Sequence, residues 1–103
     1  MTNNRRNPRV YCGASGSLEG PRGPVRGRAR NISQGGAFFQ TGELLPIGKT
    51  FELSILLPEG PVTGMAEIRY HHRYVDGEGM GVRFVRVDEE GMRRLGAFID
   101  AHR

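Results

Sequence analysis

Phe51, Leu53, Ile55 and Leu57 recur at every second residue, with Glu52 and Ser54 between them. That period matches the two alternating faces of a β-strand and misses the 3.6-residue repeat of a helix. Alternation returns in Val25 to Ile32, in the long run Val62 to Tyr74 and in Met80 to Val87. Sixteen glycines and six prolines cut the 103 residues into short pieces, which favours many turns and short strands over a helical bundle. A chain of this length supports one domain with one modest core. A small, mainly β protein is therefore expected.

Taken in order, residues 1–8 read as an exposed arm ending at Pro8, which holds Asn7 extended. Val10 to Cys12 begins a first strand. Gly13 to Pro24, with four glycines, two prolines and two serines, reads as a mobile loop. In Val25 to Ile32 the pattern puts Arg26, Arg28 and Arg30 on one face, and Val25, Gly27, Ala29 and Asn31 on the other. The turn Asn31-Ile32-Ser33-Gln34-Gly35-Gly36 leads into a strand at Ala37 to Gln40. A connection with some core residues follows at Leu44 to Gly48, and Pro58 to Pro61 turns the chain between the next two strands.

On the long strand Ala66, Ile68 and Tyr70 are expected on one face, and Glu67, Arg69 and His71 on the other. Asp76-Gly77-Glu78-Gly79 has the composition of a hairpin loop, and Met80, Val82 and Phe84 form the buried row of the last strand. A helix is predicted over about 88–101, with Asp88 as N-cap, Glu89 and Glu90 at the positive end of its dipole, and an apolar stripe of Met92, Leu95, Phe98 and Ile99. Gly91 and Gly96 weaken it, so it depends on docking. Six antiparallel strands with one C-terminal helix are most simply accommodated by a closed barrel.

Charge is unevenly placed. Residues 1–30 hold seven Arg and one Glu, a net of +6, whereas residues 31–103 hold seven Arg, one Lys and ten acids, a net of −2. A positive field on the N-terminal third suits an anionic partner, and arginine is the better fork for phosphate or a guanine edge. A single cysteine, Cys12, excludes an internal disulfide and fits a reducing compartment. The polar, basic Met1 to Asn7 is no signal peptide, and no run has the length of a membrane span, so a cytoplasmic location is expected.

Catalysis is not expected. Ser15, Ser17, Ser33 and Ser54 lack a nucleophile-elbow context, and the carboxylates alternate with apolar residues or lie in turns. His71 and His72 point to opposite faces of a strand and cannot chelate one ion as neighbours, so no metal site is expected. Binding of nucleic acid by a small basic barrel needs an aromatic row on a strand face. Phe51, Phe84 and Phe98 are assigned to the core, and Tyr11, Tyr70 and Tyr74 show no row beside the arginine stripe. Nucleic acid is therefore disfavoured.

Arg5-Arg6-Asn7-Pro8-Arg9 places two arginines four apart, and Asn31-x-Ser33-x-x-Gly36 follows on the turn. Together these patterns, R-x-x-x-R and then [D/N]-x-S-x-x-G, resemble the signature of the PilZ domain, a bacterial receptor for cyclic di-GMP. The resemblance extends over nearly the whole chain. It includes Ala37-Phe38-Phe39 after the turn, Gly64-Met65-Ala66-Glu67-Ile68 on the long strand and Met80-Gly81-Val82-Arg83-Phe84 before the helix.

The resemblance implies a six-stranded antiparallel barrel over residues 10–103, preceded by a flexible arginine arm over residues 1–9. It implies that Arg5 and Arg9 grip phosphates and the Hoogsteen edges of guanine, with Arg6 as an extra basic residue. Asn31 and Ser33 would hydrogen-bond a guanine, and Gly35 and Gly36 would keep the wall clear of side chains. Asn31 stands where Asp is commoner, and a neutral amide accepts less strongly from guanine, which bears on affinity; Asn4 stands where many members carry a third arginine, which leaves the ligand stoichiometry open. No cofactor is implied beyond the ligand itself, and the output would pass to a partner protein in trans. The alternative is a PilZ-like adaptor that binds a protein partner without nucleotide.

Overall fold

A computed structural model describes residues 8–75 and 77–103. Six strands and one helix follow in order: β1 Val10–Gly20, β2 Gly23–Ile32, β3 Gly36–Gln40, β4 Thr50–Leu57, β5 Gly60–Tyr74, β6 Gly77–Val87 and α1 Glu89–His102. All pairings are antiparallel, and the sheet closes in the order β1-β2-β3-β6-β5-β4. Closure removes the exposed sheet edges that short strands would otherwise leave unpaired. The expected barrel with a C-terminal helix is what forms.

The core is a single cluster in which Leu18, Ile32, Phe39, Ile55, Ile68, Met80 and Leu95 are completely enclosed. The loop expected over Gly13 to Pro24 is instead the second half of β1, a two-residue turn at Pro21 and Arg22, and the start of β2. Small residues fill the inward positions because Phe39 occupies the space above them. A Cβ on Gly16 would come within 3.1 Å of the Phe39 ring and 2.8 Å of the Ser54 carbonyl. A Cβ on the paired Gly27 would come within 2.9 Å of the same ring. Gly16 to Leu18 also pairs with Leu53 to Ile55, and this pairing closes the barrel. The strand is invisible to hydrophobic periodicity because its inward row is largely hydrogen and methyl.

Helix α1 packs against β1, β4 and β5 through Leu95, Phe98 and Ile99. Asp88 caps it, its Oδ1 accepting from the Gly91 amide at 2.7 Å. The expected apolar stripe needs one correction: Met92 is exposed, and Gly91 takes the buried position against Val87 and Val62. No described helix is long and apolar enough to cross a membrane.

Candidate functional site

Three β-bulges, each adding one residue to one strand, determine what faces outward at one side of the barrel. On β2, Ala29 pairs with Phe39 and Asn31 with Phe38, so Arg30 is the extra residue. The alternation that should have carried Asn31 inward shifts phase, Ile32 becomes the core residue, and Asn31 turns outward. The inward placement of Asn31 is thereby corrected. The facing bulge on β1 lies between Tyr11 and Ala14 and contains Gly13 at φ +87°. On β5, Arg69 is the extra residue between Ile68 and Tyr70, and Tyr70, expected beside Ile68 on the core face, comes out 46% exposed.

The outward Asn31 meets Arg9, which stands just before β1. Arg9 Nη1 donates to Asn31 Oδ1 at 3.1 Å, although the residues are 22 apart in sequence. Arginine offers only donors, so the amide oxygen faces it and the Asn31 NH2 group remains available to an incoming acceptor. Arg5 and Arg6 lie outside the described residues.

Ser33, Gly35 and Gly36 form the turn between β2 and β3. The Ser33 amide donates to the Gly36 carbonyl at 2.8 Å, and the buried Ser33 hydroxyl accepts from the Gly35 amide at 3.2 Å. The hydroxyl therefore holds the turn in shape. Gly36 is required by the sheet, since a Cβ there would overlap the Val82 carbonyl oxygen of β6. This approach of two backbones accounts for a glycine at position 36 without reference to a ligand. The Gly35 carbonyl accepts from the Phe84 amide at 2.9 Å, which ties the turn to β6.

These residues border two neighbouring depressions that share Arg9 and Tyr70. One, of about 660 Å³, is lined by Ser33, Gly35, Gly36, Arg69 and Arg83. Arg83 donates to Glu67 at 2.9 Å and Arg69 lies 3.5 Å from the same carboxylate. The Arg83 hydrogen bond and both guanidinium charges hold the Glu67 carboxyl below the ordinary glutamate range. Three arginines against one acid give this depression a positive field suited to phosphate.

The second depression, of about 410 Å³, is bordered by Arg30 and Asn31 and walled by Tyr11, Phe38, Tyr70, His72 and Tyr74. Sequence reasoning missed this wall. The expectation that the tyrosines form no row beside the arginines is overturned, because the bulges at Arg30 and Arg69 shift the phase of two strands. Glycines on β6 were the available signal. Phe38 lies over Gly79 and Tyr70 over Gly81, where any Cβ would overlap the rings. Arg69 and Arg83 also went unassigned, since outward arginines on strands read as solvated surface.

Among the described residues no three His, Cys, Asp or Glu come together as a group able to hold a metal ion.

The family model described as PilZ domain matches residues 3–101. No curated protein matches the sequence. Similar solved structures include the Bacillus subtilis inhibitor of motility MotI/DgrA, with a TM-score of 0.87 and 18% identity over 97% of this chain and 51% of that one. The PilZ domain of Escherichia coli YcgR, solved with c-di-GMP, has a TM-score of 0.76 and 17% identity over 97% of this chain and 92% of that one. The K. pneumonia MrkH–c-di-GMP complex has a TM-score of 0.80 and 17% identity over 96% of this chain and 52% of that one. The chain thus spans about half the length of MotI/DgrA and MrkH. With both signature motifs in order, a closed six-stranded barrel and a family match over nearly its whole length, the chain belongs to the PilZ domain family.

Proposed function

We propose that this PilZ domain is a receptor for cyclic di-GMP that acts by binding and passes its signal to a partner protein in trans. The observation that carries the reading is the Arg9–Asn31 hydrogen bond. It joins the last residue of one signature motif to the first of the other, and its arginine lines both depressions. Relatives in the same family, YcgR and MrkH, have been solved with c-di-GMP.

In this reading Arg9 is held near its working position before ligand arrives, with four of its five N–H donors uncommitted by the Asn31 contact. Those donors meet a phosphate or the O6 and N7 acceptors of guanine. Arg69 and Arg83 add positive charge beneath the ligand, while the rigid turn of Ser33, Gly35 and Gly36 forms the wall. Arg5 and Arg6 close from the arm. The ligand's two phosphates recruit them, the arm becomes ordered, and the covered face offers a new surface to the partner.

Calorimetric titration with cyclic di-GMP tests the reading. Arg5→Ala and Arg9→Ala should each weaken binding by about 1.5–3 kcal/mol, the range for a lost charge-assisted hydrogen bond. Amide resonances of residues 1–9 should shift on saturation. Undiminished affinity in either variant overturns the assigned roles, and no binding by the wild type returns the chain to the nucleotide-independent adaptor.

A further inference from the structure

Of the three arginines on the outer face of β2, only Arg30 borders the candidate site. Arg26 lines a separate depression of about 300 Å³, with Ser15 and Ser17 of β1 and Ser54 and Leu56 of β4. Arg28 stands beside it, paired with Ser15 and held by a 2.9 Å hydrogen bond from its Nη1 to the Gly13 carbonyl. The floor is shallow and polar, since Ser17 pairs with Arg26 on one side and Ser54 on the other. Leu56 is 60% exposed at the rim. In the closed order β1-β2-β3-β6-β5-β4, the β1–β4 seam lies across the ring from the β3–β6 pairing that carries the motif turn. The depression therefore belongs to the opposite side of the barrel.

Charge selects what fits there. Arg69, Arg73, Arg83, Arg93, Arg94 and Arg103 each have a carboxylate partner, whereas Arg26 and Arg28 have none among the described residues. Residues two apart on a strand stand about 6.8 Å from each other, so the pair offers separate guanidinium forks to two carboxylates. Leu56 lies two strand spacings from β2, about 10 Å away, and can receive an apolar side chain of the same segment. Glu19 and Glu52 line the neighbouring depression, which shares Ser17 and Ser54. Negative charge is thus attracted at the β2 end and repelled beyond it. None of the lining residues is aromatic, which leaves nucleic-acid bases nothing to stack on.

We propose that this face docks an acidic segment of a partner protein, its carboxylates on Arg26 and Arg28 and an apolar residue on Leu56, whether or not the opposite face holds ligand. The inference stands apart from the receptor reading and does not require it.

The test is an NMR titration of the full chain with a capped peptide that carries one leucine beside a run of aspartates. Amide shifts should concentrate at residues 15–17, 26–28 and 54–56 and weaken as salt rises. Arg26→Glu combined with Arg28→Glu should weaken peptide binding about tenfold or more, and Leu56→Ser about threefold or more. Thermal melts of these surface variants should match wild type. The same peptide with lysine in place of aspartate should not bind, and saturating cyclic di-GMP should leave the peptide affinity unchanged. No shifts, shifts elsewhere, or undiminished affinity in the folded double variant overturns the proposal. Tighter binding of an oligothymidylate at the same residues would make the surface a nucleic-acid site and overturn it. A concentration-dependent dimer in sedimentation that Leu56→Ser abolishes would make the occupant a second copy, and would overturn it too. A peptide affinity that changes with cyclic di-GMP overturns the independence of the two faces. Absence of any cyclic di-GMP binding touches only the receptor reading.

Discussion

Arg9 and Asn31 are joined side chain to side chain, Nη1 to Oδ1 at 3.1 Å, across 22 residues and two strands. The contact is exposed, so its value to the fold is small, yet it lies where the two signature motifs meet. Arg9→Ala and Asn31→Ala should each change unfolding free energy by less than about 1 kcal/mol. A double-mutant cycle on ligand affinity should give a coupling of at least about 0.5 kcal/mol, because both partners would face the same ligand. Additive losses would mean that the pair does not act as a unit.

Gly36→Ala should destabilise the barrel by about 1–3 kcal/mol, since the added methyl overlaps the Val82 carbonyl and backbone cannot move aside cheaply. Urea unfolding should show a lower midpoint with an unchanged slope. A wild-type midpoint would mean that β3 and β6 do not approach as described.

Two helix glycines should respond with opposite sign to the same change. Helix propensity alone favours alanine over glycine by about 1 kcal/mol. At Gly91 the new methyl would lie 2.7 Å from Val87 Cγ1 and 3.0 Å from the capping Asp88 Oδ1, so Gly91→Ala should destabilise. At Gly96 the nearest atom is Gln34 Nε2 at 3.3 Å, the free end of a flexible side chain, and Gly96→Ala should stabilise by about 0.5–1 kcal/mol. Thermal melts of the two variants check the pair.

Glu67 predicts a pH dependence. Its folded-state pKa is lowered, first by the Arg83 hydrogen bond, so the unfolded chain takes up its proton more readily than the folded one. The stabilising contribution is present above the unfolded value of about 4.3 and is lost as pH falls through the depressed folded value. Glu67→Gln should therefore flatten the stability profile below about pH 4.3. A mutant profile parallel to wild type in that window would show that the Arg83 and Arg69 contacts do not persist in solution.

Much of the barrel was legible in the chain because alternation and glycine punctuation are local signals. Phe51 to Leu57 had to be a strand, Asp88 had to begin a helix, and the two motifs identified the family. What escaped depended on neighbours. The second half of β1 carries almost no apolar signal, and it is a strand because Phe39 fills the space above Gly16 while β2 and β4 take up its backbone hydrogen bonds. Gly91 looked like a weakness in the helix and proved to be a buried position where a Cβ would crowd Val87.

The site divides in the same way. Resemblance to the family's two motifs, read along the chain, selected Arg9, Asn31, Ser33, Gly35 and Gly36 as candidate site residues. Tertiary structure decided which way they and their neighbours face. One extra residue at Arg30 and another at Arg69 invert the phase of two strands, sending Ile32 into the core while Asn31 and Tyr70 come out. A bulge is a mismatch between partner strands. Its phase shift belongs to the pairing, and no single strand's sequence contains it.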